Sequence, residues 1–169
     1  ELPLEKRERA GVEYWAASAA CYIELAQTMF YIHRRFDLQH SEYLAVKGKI
    51  ATHVGPGRQI RAPQSGFVAE KLVWYCVGDA DRIKSLLELV DCVGGATAIG
   101  QGAVDEWLIE EWPDDWSELG PNGEIMRPLP ADGTLEGPVL LRGIKAPTWL
   151  LKNRVPCVMP GRKRHALCV

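Results

Sequence analysis

The stretch that decides the fold extends from residue 71 to residue 112 and reads KLVWYCVGDADRIKSLLELVDCVGGATAIGQGAVDEWLIEEW. Its opening, KLVWYCVG, predicts a buried strand, and its end, AVDEWLIEEW, alternates apolar and polar residues as a strand does. Between them, apolar residues recur at helical spacing at Ile83, Leu86, Leu87 and Val90. We expect Asp79 or Asp81 to cap this helix and Gly94 to stop it. The order strand, helix, glycine loop, strand predicts an α+β fold.

The glycine loop, VGGATAIGQG at residues 93–102, lies between the helix and the second strand. A dinucleotide fingerprint needs its helix after the glycines, and a Walker loop needs Gly-Lys-Ser/Thr, so both are excluded. The backbone of such a loop can bind the backbone of a nucleic acid; the alternative is a tight structural turn. The residues expected at a nucleic-acid backbone are Gly94, Gly95, Gly100, Gln101 and Gly102.

The flanking segments are less regular. The sequence TMFYIHRRF, residues 28–36, predicts a strand that ends in a basic patch. Repeated glycines and prolines between residues 37 and 69 predict a long loop or an irregular hairpin. Residues 113–169 are rich in proline and glycine, and they predict an irregular C-terminal extension that wraps the core as turns and short strands.

Charge is segregated along the chain. Residues 1–71 carry ten Lys/Arg and eight Asp/Glu, residues 72–140 carry three and fourteen, and residues 141–169 carry seven and none. The local field, more than the net charge of −2, decides whether a polyanion is attracted. The alternative is that the charges mix again in three dimensions and only keep the protein in solution.

Aromatic residues lie among the cationic clusters. Positive charges neutralise phosphates and rings stack on bases, so the combination suits a single-stranded nucleic acid. Ordinary solvated surface is the alternative for any one cluster. The residues expected to bind RNA in these clusters are Tyr31, Arg34, Arg35, Lys47, Lys49, Arg58, Arg61, Arg142 and Lys145.

The histidines decide whether to expect an enzyme. None of the four belongs to an H-x-H or H-E-x-x-H arrangement. His53, near Lys49 and Arg58, could deprotonate a ribose 2′-hydroxyl and so make a metal-independent ribonuclease, with His33 as a second candidate base. The preferred interpretation is a polar loop histidine and no catalytic residue. Asp114-Asp115 has no third ligand at a suitable spacing, so we expect neither a metal nor a cofactor.

The cysteines and the hydropathy indicate the cellular compartment. Five scattered cysteines without a C-x-x-C motif suggest neither a disulfide framework nor a zinc site, which favours a reducing cytoplasm. No apolar run reaches the roughly 18 residues of a membrane span, so no membrane partner is expected.

Several motifs, in order, resemble a known family. They are LPL-x-K-R at residue 2, YWAASAACY at 14, F-Y-x-x-R-R-F at 30, WYCVGD at 74, V-G-x₅-G-x-G-x-V-x-x-W at 93, MRPLP at 126 and PCVMP at 156. Together they resemble a CRISPR-associated RAMP protein, specifically the RAMP subunit of type IV effector complexes that caps the 5′ handle of crRNA. The resemblance covers nearly the whole chain.

The resemblance implies a ferredoxin-like, RRM-related fold in one domain over residues 1–169. Gly94, Gly100 and Gly102 would form its glycine loop, and residues 37–69 a hairpin or thumb-like insertion. The first strand of such a fold is expected upstream of residue 1. One departure is that Gly95 stands where we expect a lysine or arginine, so phosphate neutralisation would fall to the other cations.

The function implied is that of a non-catalytic RNA-binding subunit. It would hold the 5′ handle of crRNA and cap the filament of backbone subunits. Its partners would be crRNA, the backbone and large subunits and, indirectly, target DNA. The alternatives are a RAMP endoribonuclease that processes repeat RNA, and a protein-interaction module with a basic tail.

Overall fold

The structure is a computed structural model that describes residues 1–34, 53–54, 58–97, 100–145 and 147–161. Strands, mostly in small antiparallel sheets, accompany one α-helix in this part of the chain, which agrees with an α+β fold. The elements are β1 (Lys6–Arg9), β2 (Val12–Trp15), β3 (Cys21–Arg34), β4 (Ile60–Val73), α1 (Ala80–Leu87), β5 (Leu129–Pro130), β6 (Val139–Gly143), a 3₁₀ turn (Leu151–Asn153) and β7 (Arg154–Val158).

The chain divides into two compact units. One comprises Glu1–Tyr22 with Lys71–Val169, and the other comprises Ile23–Glu70. Among the described residues, no helix is long and apolar enough to cross a lipid bilayer.

A tight hairpin opens the first unit. Strands β1 and β2 pair antiparallel, with Arg9 opposite Val12, so that Ala10 and Gly11 alone form the turn. Both residues have positive φ angles, 51° and 73°. Positive φ at both central residues is the geometry of a type I′ turn, whose twist matches that of the flanking strands.

The C-terminal segment supplies much of the core. Strand β7 pairs antiparallel with β5 on one side and with β6 on the other, giving the order β5-β7-β6. Tyr14 of β2 packs with Leu129, Ile144 and Cys157 in one buried cluster. Cys21, Tyr75 and Met126 form a second. The residues after 113 therefore form a regular three-stranded sheet as well as turns, and they are part of the core instead of only covering it.

Ion pairs and a half-buried arginine join the two ends of the first unit. The Arg7 guanidinium contacts Asp115 at 2.6 Å and Glu118 at 3.1 Å, and Arg9 contacts Asp132 at 3.2 Å. The N-terminal hairpin is thus held by acidic residues on both sides of β5 in the sequence. The Arg127 guanidinium adds a further link, because its Nη1 donates to the carbonyls of Trp15 and Ala17. It also lies 5.0 Å from the Tyr14 ring centroid.

The predicted helix is confirmed, but it is shorter than the sequence indicates. Asp79 is the N-cap, and its carboxylate accepts a hydrogen bond from the Arg82 amide at 3.1 Å. The helix ends at Leu87 and not near Gly94. The reason is that Asp91 and the residues after it pair with residues 102–104, which takes their backbone away from the helix.

The strand predicted at residues 103–112 is wrong. Ala103 forms an isolated bridge with Cys92, and residues 104–112 have no strand pairing. Alternation of apolar residues makes a strand only where a neighbour completes the hydrogen-bond ladder. Trp107 instead donates its indole N–H to the Val90 carbonyl at 3.0 Å, and Leu108 is exposed.

The strands around the predicted irregular segment also differ from expectation. Strand β4 begins at Ile60, so residues 60–69 are extended and paired with β3 and are not irregular. Of the buried strand predicted at residues 71–78, only the first three residues belong to β4. Tyr75 is buried, while Cys76 and Gly78 form isolated bridges to Ala17 and Leu4.

Candidate nucleic-acid interface

The β3–β4 strand pair carries the most distinctive surface chemistry of the second unit. The Tyr31 side chain is 44% exposed, and the Arg61 guanidinium carbon lies 4.4 Å from its ring centroid. The His33 ring centroid is 6.3 Å from that of Tyr31 at an interplanar angle of 52°. An aromatic face, a planar cation and an imidazole therefore meet at one exposed place.

Further cations lie at the ends of the same two strands. Arg34 ends β3 and Arg58 precedes β4, and both are exposed. Arg61 and Tyr31 were predicted from separate parts of the sequence, and the pairing of the two strands brings them together. We call Tyr31, His33, Arg34, Arg58 and Arg61 the ribbon site. Arg35, Lys47 and Lys49 lie outside the described residues.

The β3–β4 strand pair, called the ribbon from here on, buries few apolar side chains. Apolar side chains along both strands are exposed, among them Leu25, Met29 and Phe67. A Cβ at Gly66 would come within 3.2 Å of the Phe30 ring, so a larger residue there would require that ring to shift by a few tenths of an ångström. A two-stranded ribbon is marginally stable alone in water, so covering these apolar side chains would stabilise it.

The glycine loop lies in the first unit and is closed by its own backbone. The Val93 amide donates to the Gly102 carbonyl at 2.8 Å, and the Val104 amide donates to the main-chain carbonyl of Asp91 at 2.9 Å. Gly102 has φ +72°, and a Cβ there would run into the Val93 carbonyl oxygen. Gly94 and Gly100 have φ +104° and +80° with open space around them. Close approach and left-handed backbone therefore account for three of the four glycines.

Gly95 and Gln101 complete the predicted loop contacts. Gly95 needs neither a positive φ nor extra space, and Gln101 is exposed while its amide donates to Ala96 at 3.3 Å. The surrounding sequence has no lysine or arginine between residues 85 and 126. The loop can thus offer backbone groups to a ligand, but its own neighbourhood supplies no positive charge.

The remaining predicted residues are separate from the loop. Arg142 is on β6 and Lys145 follows it, and both are exposed. Lys145 and Lys152 border a shallow cleft with Glu8 and Glu13 of the N-terminal hairpin. These two groups of opposite sign meet within the first unit, so the cleft is electrostatically mixed.

The candidate catalytic histidines are both exposed. His33 belongs to the ribbon site, and His53 stands in a short described stretch, with Lys49 outside the described residues. Within the described ranges, no group of three or more His, Cys, Asp or Glu residues could hold a metal ion.

One exposed apolar surface could not be predicted from the sequence pattern. Val139, Leu140 and Leu141 of β6 are exposed aliphatic residues. The signal was present as the run PVLLRG within a segment that lacks acidic residues, but a strand that lies at the edge of a sheet cannot be distinguished from a buried one by such a run.

Comparison with known protein families identifies the class as a RAMP-like subunit associated with CRISPR systems. The match covers residues 1–160, and the chain belongs to the family described as CRISPR type IV associated protein Csf3. This membership implies a place within a type IV CRISPR complex. None of the curated proteins matches the chain.

Proposed function

We propose that the protein is a non-catalytic RNA-binding subunit that holds the 5′ handle of crRNA and caps the backbone filament of a type IV complex. The observation that supports this most is the ribbon site, where Arg61 lies over the exposed ring of Tyr31. The finer fold assignment, a ferredoxin-like RAMP domain with a thumb-like insertion, belongs to the same proposal.

The ribbon site has the chemistry that a single strand of RNA requires. A base can stack on the exposed ring of Tyr31, while Arg34, Arg58 and Arg61 neutralise neighbouring phosphates. The Arg61–Tyr31 contact holds both side chains in one arrangement before RNA arrives, and a cation over an exposed ring contributes about 0.5–1 kcal/mol. Less conformational freedom is then lost on binding.

The acidic character of residues 72–140 favours binding of crRNA elsewhere, at the cationic ribbon. Fourteen acidic side chains against three basic ones repel a phosphate backbone, so crRNA follows the cationic ribbon. At the glycine loop, the amides of Gly100 and Gln101 already donate to carbonyls of the same loop. Contacts to crRNA would therefore come from the main-chain N–H groups of Gly94, Gly95 and Gly102. The large and backbone subunits would contact the exposed apolar residues of the ribbon, and target DNA would be reached through crRNA.

Salt-dependent binding of crRNA tests the proposal. Arg61→Ala should lower the slope of log K against log[salt] by about 0.7, the value for one single-strand phosphate contact. Arg61→Lys should keep the slope but weaken binding, because it keeps the charge and loses the planar stack. Tyr31→Ala should weaken binding by about 1–3 kcal/mol at an unchanged slope.

The matched control is Arg82→Ala, an exposed arginine on α1. A control RNA without the repeat-derived 5′ handle should bind less tightly to the parent protein. If Arg61→Ala and Arg82→Ala change the slope equally, the ribbon site is not the RNA-binding surface. If both RNAs bind alike, the handle is not what the protein recognises.

A second candidate function is cleavage of repeat RNA, favoured by the position of His33 beside Tyr31 and Arg61 on the ribbon. A histidine base with a neighbouring cation is one way to catalyse attack of a ribose 2′-hydroxyl. Labelled repeat RNA incubated with the protein in EDTA distinguishes the two. Cleavage at one site that His33→Ala or His53→Ala abolishes would establish the ribonuclease and reject the non-catalytic subunit.

A further inference from the structure

Strand β6 is at the edge of the C-terminal sheet. It pairs with β7 on one side, from Val139 opposite Val158 to Gly143 opposite Arg154. On its other side, no strand pairs with it within the described ranges. An open edge presents backbone donors and acceptors to which another chain can add.

The register shows which backbone groups point outward. The Met159 amide donates to the Pro138 carbonyl at 2.9 Å, which makes that opposite pair hydrogen-bonded. Because hydrogen-bonded and non-hydrogen-bonded pairs alternate in an antiparallel ladder, the N–H and C=O groups of Val139 and Leu141 face the open side. Pro156, which lacks an N–H, is opposite Leu141, which fits this register because that pair exchanges no hydrogen bonds.

The side chains of this edge are apolar and accessible. Val139 is 52% exposed and Leu141 67% exposed. Beyond the strand, Trp149 and Leu151 are 73% and 79% exposed. Edge strands are usually protected by a lysine, a proline or a bulge, whereas β6 carries three exposed aliphatic residues in succession.

The turn that carries Trp149 and Leu151 is fixed beside the end of β6. The Asn153 side-chain amide donates to the Pro147 carbonyl at 2.9 Å. A Cβ on Gly143 would run into the Thr148 backbone, so the turn approaches the strand closely there. The apolar edge is therefore extended by an ordered turn.

Charge indicates what kind of molecule would cover this edge. The charged side chains that the structure describes on β6 and after it are cationic and exposed, and no acidic residue follows Glu136 in the sequence. Lys145 and Lys152 also border Glu8 and Glu13 in the cleft described above, whereas Arg142 and Arg154 do not line that cleft. RNA would match the charge but would leave the aliphatic side chains without a suitable contact. A protein strand with apolar residues and flanking carboxylates matches both. The cations are Arg142, Lys145, Lys152 and Arg154.

We propose that β6 receives an extended acidic segment of a partner protein in the type IV complex as a fourth strand of the β5-β7-β6 sheet. Two residues of β6, Val139 and Leu141, would exchange main-chain hydrogen bonds with it, and the surrounding cations would pair with its carboxylates. This assigns Arg142 and Lys145 to a protein partner instead of RNA. It rests on family membership and not on RNA binding at the ribbon site.

Site-resolved amide hydrogen exchange on the complex purified with its partner subunits tests the proposal. Exchange at Val139 and Leu141 should be at least about tenfold slower than in the isolated protein, since these amides would become paired. The amides of Leu140 and Arg142 already face β7 and should change less. Leu141→Asp should lower retention of the subunit in the complex by about tenfold. Lys145→Glu should have a smaller effect that salt removes.

The controls are an equally exposed leucine and a lysine away from β6. Leu89→Asp and Lys84→Glu, before the glycine loop and on α1, should leave retention unchanged. Lys145 is outside the strand, so Lys145→Glu remains informative if Leu141→Asp does not fold. The crRNA affinity of both variants should equal that of the parent, which separates a failure here from a failure of the ribbon site.

Three results would overturn the proposal. Unchanged exchange at Val139 and Leu141 in the complex would show that the edge stays open. Slower exchange in the isolated protein as its concentration rises would make a second copy of the chain the occupant. Slower exchange at Val139 and Leu141 on addition of crRNA alone would show that Arg142 and Lys145 lie at an RNA-binding surface.

Discussion

Replacing Gly102 by alanine separates the structural role of the glycine loop from any role in binding. The residue combines φ +72° with direct approach to the Val93 carbonyl. An L-residue in left-handed backbone costs about 1–2 kcal/mol. Losing the 2.8 Å bond between the Val93 amide and the Gly102 carbonyl adds about 0.5–1.5 kcal/mol. Together they predict a loss of about 1.5–3.5 kcal/mol in the free energy that keeps the loop closed.

The other glycines provide graded controls. Gly100→Ala should cost only the strain, about 1–2 kcal/mol, because the space around it is open. Gly95→Ala should be neutral or stabilising by up to about 1 kcal/mol, since its backbone suits any residue and alanine restricts the unfolded chain.

Urea unfolding measures the global effect, and exchange of the Val104 amide measures opening of the loop alone. That amide donates to Asp91 only while residues 91–93 and 102–104 stay paired. The expected order of destabilisation is Gly102→Ala, then Gly100→Ala, then Gly95→Ala. Equal effects of Gly102→Ala and Gly95→Ala on both measurements would refute the conclusion that close packing dictates the glycine.

Two further predictions concern the contacts that hold the first unit together. Arg127→Met should cost about 2–3 kcal/mol in urea unfolding, because the carbonyls of Trp15 and Ala17 lose a charged donor; an effect no larger than that of an exposed control, Arg82→Met, would contradict it. Burial acts to raise the pKa of Asp115, but hydrogen bonds from Ser117 and the Arg7 guanidinium outweigh it and lower that pKa below its usual value. The stabilisation is therefore present above about pH 4 and is lost as pH falls through the lowered pKa. Asp115→Asn should flatten the acid loss of stability measured from about pH 6 to about pH 2, and a profile like the parent's would count against the ion pair.

The sequence predicts local structure best where one residue decides it. Asp79 marks the start of α1 because its carboxylate can meet a free amide of the first turn. The end of α1 could not be predicted in the same way. It depends on pairing of Cys92 with Ala103, a contact that local periodicity does not contain.

The candidate site shows the same division. Composition identified Tyr31 and Arg61 as residues suited to RNA, but their 4.4 Å contact depends on the register of β3 and β4. Alternating apolar residues at 103–112 looked like a strand, and that pattern carries no information about whether a neighbouring strand is present. The exposed edge of β6 could not be predicted either, because an aliphatic run does not reveal how many strands flank it.

Residues near both ends of the sequence pack together, and this affects how the protein folds during synthesis. Tyr14 packs against Leu129 and Cys157, so the first hairpin cannot complete its packing until the last strand has been translated. Folding dominated by such distant partners is slow, and the nascent chain keeps apolar surface uncovered throughout its passage from the ribosome. Shielding of that surface by a chaperone or by a neighbouring subunit during translation would therefore limit aggregation of the nascent chain.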